Sequence, residues 1–276
     1  SNMTPNDWQR IADDIKEHYD EYDGFVVLHG TDTMAFTSSA LSFMFENLNK
    51  PIIVTGSQIP FSQLRSDGQV NVLNALYIAA NYPINEVTLF FNNKLFRGNR
   101  CIKAYADGFN AFDSPNMPVL LEAGINIQLV AGVLSSEVNN QTEALVLTKI
   151  THQPIGVVHL YPGISSAVIE NVIKQPVKAL ILRSYGVGNA PQDADLLRCL
   201  ESAKQQGIVV VNCSQCIKGT VNMSGYATGN ALSQAGVISG HDMTLEATLT
   251  KLHYLLSQGH DYDEICSLMQ QNLRGE

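Results

Sequence analysis

No run of lysine and arginine occurs in this sequence, and 17 basic residues against 26 acidic ones leave a formal net charge of -9 over 276 positions. With no basic excess to displace counterions from phosphate, binding to nucleic acid is disfavoured. Long apolar runs are missing too. The longest, such as Ala179-Leu180-Ile181-Leu182, have the length of a strand and fall far short of the about 20 residues that cross a bilayer, so no membrane partner is expected. Cysteine is sparse. Cys101, Cys199, Cys213, Cys216 and Cys266 are odd in number and scattered, which points to a reducing compartment and not to a disulfide framework. Cys213-Ser214-Gln215-Cys216 has C-x-x-C spacing, but a zinc site needs two more ligands at matching spacing and none is near; two small residues at a strand end are the plainer reading. The phosphate-binding G-x-x-x-x-G-K-S/T, the metal-binding H-E-x-x-H and the G-x-S-x-G nucleophile turn are all absent. Gly186-Val187-Gly188-Asn189 starts like a dinucleotide loop but has no third glycine; it reads as a strand-to-helix turn capped near Asn189.

What is present is an ordinary globular composition, 45% hydrophobic and 16% charged, long enough for one large or two modest domains. Strand and helix patterns alternate. Thr4-Pro5-Asn6-Asp7 opens a helix with an apolar side of Trp8, Ile11, Ala12 and Ile15. Strands are predicted at 25–28, 52–54 and 87–91, with helices at 34–47 and 68–81 between them. The second helix is expected to bury Val72, Leu73, Leu76 and Ala79. Asn92-Asn93 predicts a turn into a hairpin arm over 95–104. The pattern dissolves between about 130 and 153, where Ser135, Ser136, Asn139, Asn140 and Gln141 crowd together. Alternation then resumes with strands at 156–161, 179–184 and 208–212, and helices at 165–174, 193–206, 245–257 and 261–272. Repeated βα units imply an α/β fold whose sheets are mainly parallel, with right-handed crossovers. The division expected is a larger N-terminal domain over 1–130, a connection over 131–154, and a smaller C-terminal α/β domain over 155–276.

The densest chemistry follows the first strand. Gly24-Phe25-Val26-Val27-Leu28 runs into His29-Gly30-Thr31-Asp32-Thr33, and open α/β sheets bind ligands outside the carboxyl ends of their strands. One polar residue would cap the next helix; three in a row exceed what a cap needs. Two further segments, Gly56-Ser57-Gln58 and the arm Arg97 to Lys103, complete a set of hydroxyl, carboxylate and ammonium. A hydroxyl is a weak nucleophile until a neighbour shifts its proton, and a lysine held by a carboxylate can serve in that way. Thr31, Lys103 and Asp32 thus form a physically sensible relay for acyl transfer, beside the plainer reading of a solvated lysine and a helix-capping aspartate.

These residues closely resemble bacterial L-asparaginases. The likeness lies in His29-Gly30-Thr31-Asp32-Thr33, in Pro51 to Pro60 and in Arg65-Ser66-Asp67-Gly68. Asn189-Ala190-Pro191, Gly225-Tyr226-Ala227-Thr228-Gly229 and Gln271 to Gly275 are similar to the cytoplasmic, type I branch. The resemblance implies hydrolysis of L-asparagine to L-aspartate and ammonia through a threonine acyl-enzyme, with neither metal nor organic cofactor. It makes Thr31, Asp32 and Lys103 catalytic, and has Asp32 also hold the substrate's α-ammonium. Gly30, Ser57, Ser1 and Asn189 become substrate-binding positions, the last reaching a neighbouring copy in a homo-oligomer, a dimer or dimer of dimers. A regulatory asparagine site would fall near Arg183, Asn189 and Cys216, although Ile102 stands where a threonine is often found. Family members begin with a strand and a Thr-Gly-Gly-Thr-Ile loop carrying the nucleophile. The sequence starts at Ser1-Asn2-Met3, past that segment, which is expected to precede Ser1 in the complete protein. The alternatives are a glutaminase-asparaginase of broader specificity and a truncated, non-catalytic amino-acid-binding module. A tRNA-dependent amidotransferase subunit of the same fold would need an RNA surface that the acidic composition disfavours.

Overall fold

A computed structural model describes residues 1–130, 143–174, 176–225 and 227–276. They form two compact units, Ser1–Ile150 with Arg274–Glu276, and Thr151–Leu273. Residues 131–142 of the expected connection lie outside the described residues, as does Tyr226.

The first unit begins with α1 (Pro5–Glu17), whose start is fixed by Asp7: its carboxylate accepts from the Thr4 backbone N–H at 2.9 Å and the Thr4 hydroxyl at 2.7 Å. The elements that follow are β1 (Phe25–Leu28), α2 (Met34–Met44), β2 (Phe45–Glu46), β3 (Ile52–Thr55), α3 (Gly68–Asn81), β4 (Val87–Phe91) and β5 (Lys94–Arg97). After these come β6 (Ile102–Lys103), β7 (Phe112–Asp113), β8 (Leu121–Ala123), β9 (Ile127–Leu129) and β10 (Val146–Leu147). Six strands form one sheet in the order β1-β3-β4-β5-β8-β9. Its half around β1, β3 and β4 is parallel, with Val27 opposite Val54 and Val54 opposite Leu89. The other half is an antiparallel meander. Ile53, Ile78, Ile84, Phe90 and Leu95 are fully buried together between α3 and this sheet. Asn92 and Asn93 have φ of 47° and 65°, the left-handed pair that a two-residue hairpin turn requires.

Three expectations need correction. The helix predicted over 34–47 stops at Met44, because Phe45–Glu46 turns extended and pairs antiparallel with Val146–Leu147. The arm predicted over 95–104 is two separate pieces: β5 pairs with β4, and β6 with β7. Between them Gly98 lies hard against α2, where a Cβ would come within 2.8 Å of the Ser42 hydroxyl and of the Val87 carbonyl. On α3 the buried face is Asn71, Ala75 and Ile78, while Leu73 and Leu76 are 67% and 50% exposed. The polar Asn71 turns inward because its amide is needed there, donating to the Gly56 carbonyl at 2.9 Å and accepting from the Asn92 backbone N–H at 3.1 Å.

The second unit is wound around a fully parallel sheet, β11 (Ile155–His159), β12 (Ala179–Ser184), β13 (Val209–Ser214) and β14 (Val237–Ser239), in that order. Helices α4 (Ser166–Ile173), α5 (Ala194–Gln205), α6 (Ala227–Gln234), α7 (Leu245–Leu256) and α8 (Tyr262–Met269) connect and follow these strands. Its core holds Ile169, Leu180, Leu182, Leu200, Val210 and Leu232. Asp193 caps α5 by accepting from the N–H groups of Asp195 and Leu196. The cap is therefore Asp193 and not Asn189, which instead closes a tight turn by exchanging backbone bonds with Tyr185 at 2.8 Å each way.

Candidate active site

The candidate site is built at the carboxyl ends of β1 and β3, the parallel part of the first sheet. After Leu28 the chain passes His29 and Gly30 into a single 3-10 turn, Thr31–Thr33, and then into α2. His29 braces this turn. One ring nitrogen lies 2.6 Å from its neighbour's Gly30 carbonyl and the other 2.8 Å from the Thr37 hydroxyl on α2. The carbonyl can only accept, so Nδ1 carries the proton and Nε2 accepts from Thr37. Burial holds the His29 ring below its ordinary basicity, which suits this neutral tautomer.

Lys103 reaches the turn from β6. Its ammonium donates to Thr31 Oγ1 at 2.9 Å and to Asp32 Oδ1 at 2.7 Å. The other Asp32 oxygen accepts from the Ser1 hydroxyl at 2.8 Å. The bond from Lys103, and after it the one from Ser1, lowers the Asp32 carboxyl below its usual value, so Asp32 is an anion throughout the neutral range. The pair is unevenly exposed: the Lys103 side chain is 18% accessible and that of Asp32 64%. An exposed carboxylate of this kind is screened by water and contributes little to stability, but it remains open to a cationic group arriving from solvent.

Ser1, Gly30, Thr31, Asp32, Ser57 and Lys103 all belong to the first unit. Ser1, Thr31, Asp32 and Lys103 are joined by direct hydrogen bonds. Gly30 is exposed, with open space where a Cβ would stand. Ser57 is half-buried in the loop after β3. Arg183, Asn189 and Cys216 belong to the second unit, at the carboxyl ends of β12 and β13. There Ser214 Oγ donates to the Gly186 carbonyl at 2.5 Å and accepts from the Cys216 N–H at 3.0 Å, tying the two loops together. The Arg183 Nε is buried without a hydrogen-bond partner among the described residues.

Two residues were passed over by sequence reasoning. Gln58 accepts from the Thr31 hydroxyl at 2.8 Å. Asp67 fixes the loop that carries Gln58 by accepting from the N–H groups of Gln58 at 3.0 Å and Ile59 at 3.1 Å. Both sat inside quoted motifs, but a glutamine after a strand and an aspartate before a helix carry no chemical signal until the fold shows what they face.

Two family models match the chain: the N-terminal asparaginase domain over residues 1–133 and the C-terminal glutaminase/asparaginase domain over residues 154–269. L-asparaginase 1 of Escherichia coli K12 is 67% identical over all of this chain and 81% of its own length. The chain belongs to the asparaginase family. Among solved asparaginase structures, L-asparaginase I of Vibrio cholerae superposes with a TM-score of 0.94 at 63% identity, over all of this chain and 82% of that one. The thermostable L-asparaginase of Thermococcus kodakarensis does so with a TM-score of 0.90 at 33% identity, over all of this chain and 82% of its own. The α/β fold with a parallel C-terminal sheet is thus the asparaginase fold. Among the described residues of this asparaginase no helix is long and apolar enough to cross a membrane, and no three His, Cys, Asp or Glu residues gather as a metal site.

Proposed function

We propose that the protein hydrolyses the side-chain amide of L-asparagine, releasing ammonia and leaving L-aspartate. The observation that carries this reading is the Thr31-Lys103-Asp32 constellation, with Lys103 donating to both partners, in a chain 67% identical to an L-asparaginase 1. In this reading Asp32, ionised and exposed on one side, receives the α-ammonium of the substrate. Ser1 steadies that carboxylate, and the Gly30 and Ser57 loops border the amide. Lys103 and Thr31 move the proton that the departing ammonia takes up, and then prepare water for attack on the acyl-enzyme. The acyl group would be carried by a threonine nucleophile. Asn189 would face the substrate from a neighbouring copy in a homo-oligomer, and a second asparagine would bind near Arg183, Asn189 and Cys216. The cytoplasm is the compartment consistent with five cysteines, odd in number and scattered.

The test is ammonia release by the full-length protein and by Lys103→Met, with L-asparagine and L-glutamine as substrates. Wild type should favour asparagine clearly in kcat/KM, and Lys103→Met should lose about 100-fold or more in kcat while remaining folded, the usual scale of general acid–base catalysis. Comparable kcat/KM for the two amides would make the protein a broad glutaminase-asparaginase. No turnover of either by wild type would leave an amino-acid-binding module.

A further inference from the structure

We propose that Gln58 is a positioning residue that sets the direction of the Thr31 hydroxyl proton and so the orientation of the oxygen that Lys103 donates to. The inference rests on the amide-hydrolysis reading and deepens it.

The argument is one of donors and acceptors. Gln58 Nε2 lies 3.2 Å from the Ala106 carbonyl and 3.0 Å from the Gly108 carbonyl. Two carbonyls can only accept, so the nitrogen of the amide must face them and the oxygen must face the other way. That oxygen sits 2.8 Å from Thr31 Oγ1. An amide oxygen cannot donate, so Thr31 is the donor. Lys103 lies 2.9 Å from the same oxygen, and an ammonium has no lone pair to accept with. The Thr31 proton is therefore directed at Gln58, and a Thr31 lone pair at Lys103.

The backbone of Gln58 is fastened independently. Its N–H donates to Asp67 at 3.0 Å, and Asn71 on α3 donates to the Gly56 carbonyl two residues earlier. The amide can neither flip nor swing aside without breaking bonds at both ends. The Lys103 ammonium excludes only its own direction for the Thr31 proton, and among the described residues Gln58 supplies the acceptor that selects one of the rest. With Gln58 removed, the hydroxyl proton could take any direction that does not face the Lys103 ammonium, and the Thr31 oxygen would lose its fixed orientation. The ammonium would then keep its bond to Asp32 but lose its alignment on Thr31. Substrate binding through Asp32 would survive, and proton movement through Thr31 would suffer.

The experiment is a double-mutant cycle in the full-length protein, with kcat and KM for L-asparagine measured for wild type, Gln58→Met, Thr31→Val and the double variant, the slow ones at high enzyme concentration. Gln58→Met is expected to lower kcat roughly 10-fold to 100-fold, the scale of a misplaced reacting group, with KM changed less than about 3-fold. In the Thr31→Val background, where no hydroxyl remains to be directed, Gln58→Met should have no further effect on kcat. An equal loss in both backgrounds, or a kcat within about twofold of wild type in folded Gln58→Met, overturns the assignment while leaving amide hydrolysis standing. A wild type that releases no ammonia overturns the hydrolysis reading and this inference with it. Should Gln58→Met fail to fold, Gln58→Leu, which likewise offers Thr31 no acceptor, enters the same cycle under the same criteria.

Discussion

The His253 ring accepts a hydrogen bond from the Gln153 backbone N–H at Nδ1, at 3.2 Å. Burial, reinforced by the nearby His152, pushes its pKa down to about 4, against 6.5 for a free imidazole. The unfolded chain therefore takes up a proton between those values and the folded chain does not. His253 contributes stability that is complete above pH 6.5 and is lost as the pH falls toward 4. Over the whole window the loss is on the order of 3 kcal/mol. Denaturant unfolding of wild type and His253→Gln at pH 7 and pH 4.5 isolates this part, since the other titrating groups are common to both. The variant should show a shallower decline, and parallel declines would mean that His253 protonates normally in the folded protein. Asp32 shows the opposite situation at the same scale. It too is shifted downward, by hydrogen bonds from Lys103 and Ser1, but it stands in water, so its shift speaks of readiness to bind a cation and not of stability. Of the candidate-site residues, Thr31, Asp32 and Lys103 were legible in the sequence because hydroxyl, carboxylate and ammonium announce their chemistry, and Ser1 only through the family resemblance. Gln58 was not, because its role is to accept one bond whose donor is 27 positions away.

At the scale of elements, the site depends on how closely the ends of β1 and β3 approach. A Cβ on Gly56 would run into the His29 carbonyl oxygen and come within 3.0 Å of Met34 Cε. A side-chain methyl can move aside, but the backbone carbonyl cannot, because the His29 N–H is bonded to the Thr55 carbonyl at 2.8 Å. Gly56→Ala should cost about 1–3 kcal/mol, as overpacking does, and should lower ammonia release by displacing Thr31 relative to Gln58. A shift in the urea midpoint together with a fall in kcat checks this; an unchanged midpoint would mean that the strand ends have slack. Helix α2 explains why the same region is rich in small hydroxyls. Ser38 and Ser42 are buried and satisfy themselves on the carbonyls of Met34 and Ser38 at 2.8 Å each, which leaves room for Gly98 and the segment leading to Lys103. The longer strands β1, β3, β4, β11, β12 and β13 and every described helix but α6 were legible from their periodicity, whereas the short β2, β8, β9, β10 and β14 were not. The inward face of α3 was not, since the deciding residue, Asn71, is polar and was drawn inward by acceptors on another loop.

At the scale of the molecule, the last three residues return to the first unit after the second has been completed. The fully buried Asn99 donates to the Arg274 carbonyl at 3.1 Å, and Arg97 to the Gly275 carbonyl at 3.3 Å. Arg274 in turn donates to the Phe45 carbonyl at 3.2 Å and pairs with Glu46 at 3.3 Å. A chain ending at Leu273 would leave buried donors without these acceptors, at a cost of about 1–3 kcal/mol for each. Thermal unfolding of that truncation should show a clearly lower Tm than wild type; an equal Tm would mean that the tail only rests on the surface.

Composition and local pattern by themselves determined the α/β class, most of the alternating elements, the net negative charge, and the residue types able to move a proton. These follow from nearest neighbours along the chain: apolar periodicity, caps such as Thr4 with Asp7, and a polar turn at the end of an apolar strand. Tertiary structure decided the rest. It brought Ser1 and Lys103 to the two oxygens of Asp32, turned Asn71 inward, and pointed the Thr31 hydroxyl at Gln58. Each of these depends on where a donor finds its acceptor in the folded chain. That pairing joins residues up to 71 positions apart, a distance over which no pattern in the sequence carries direction.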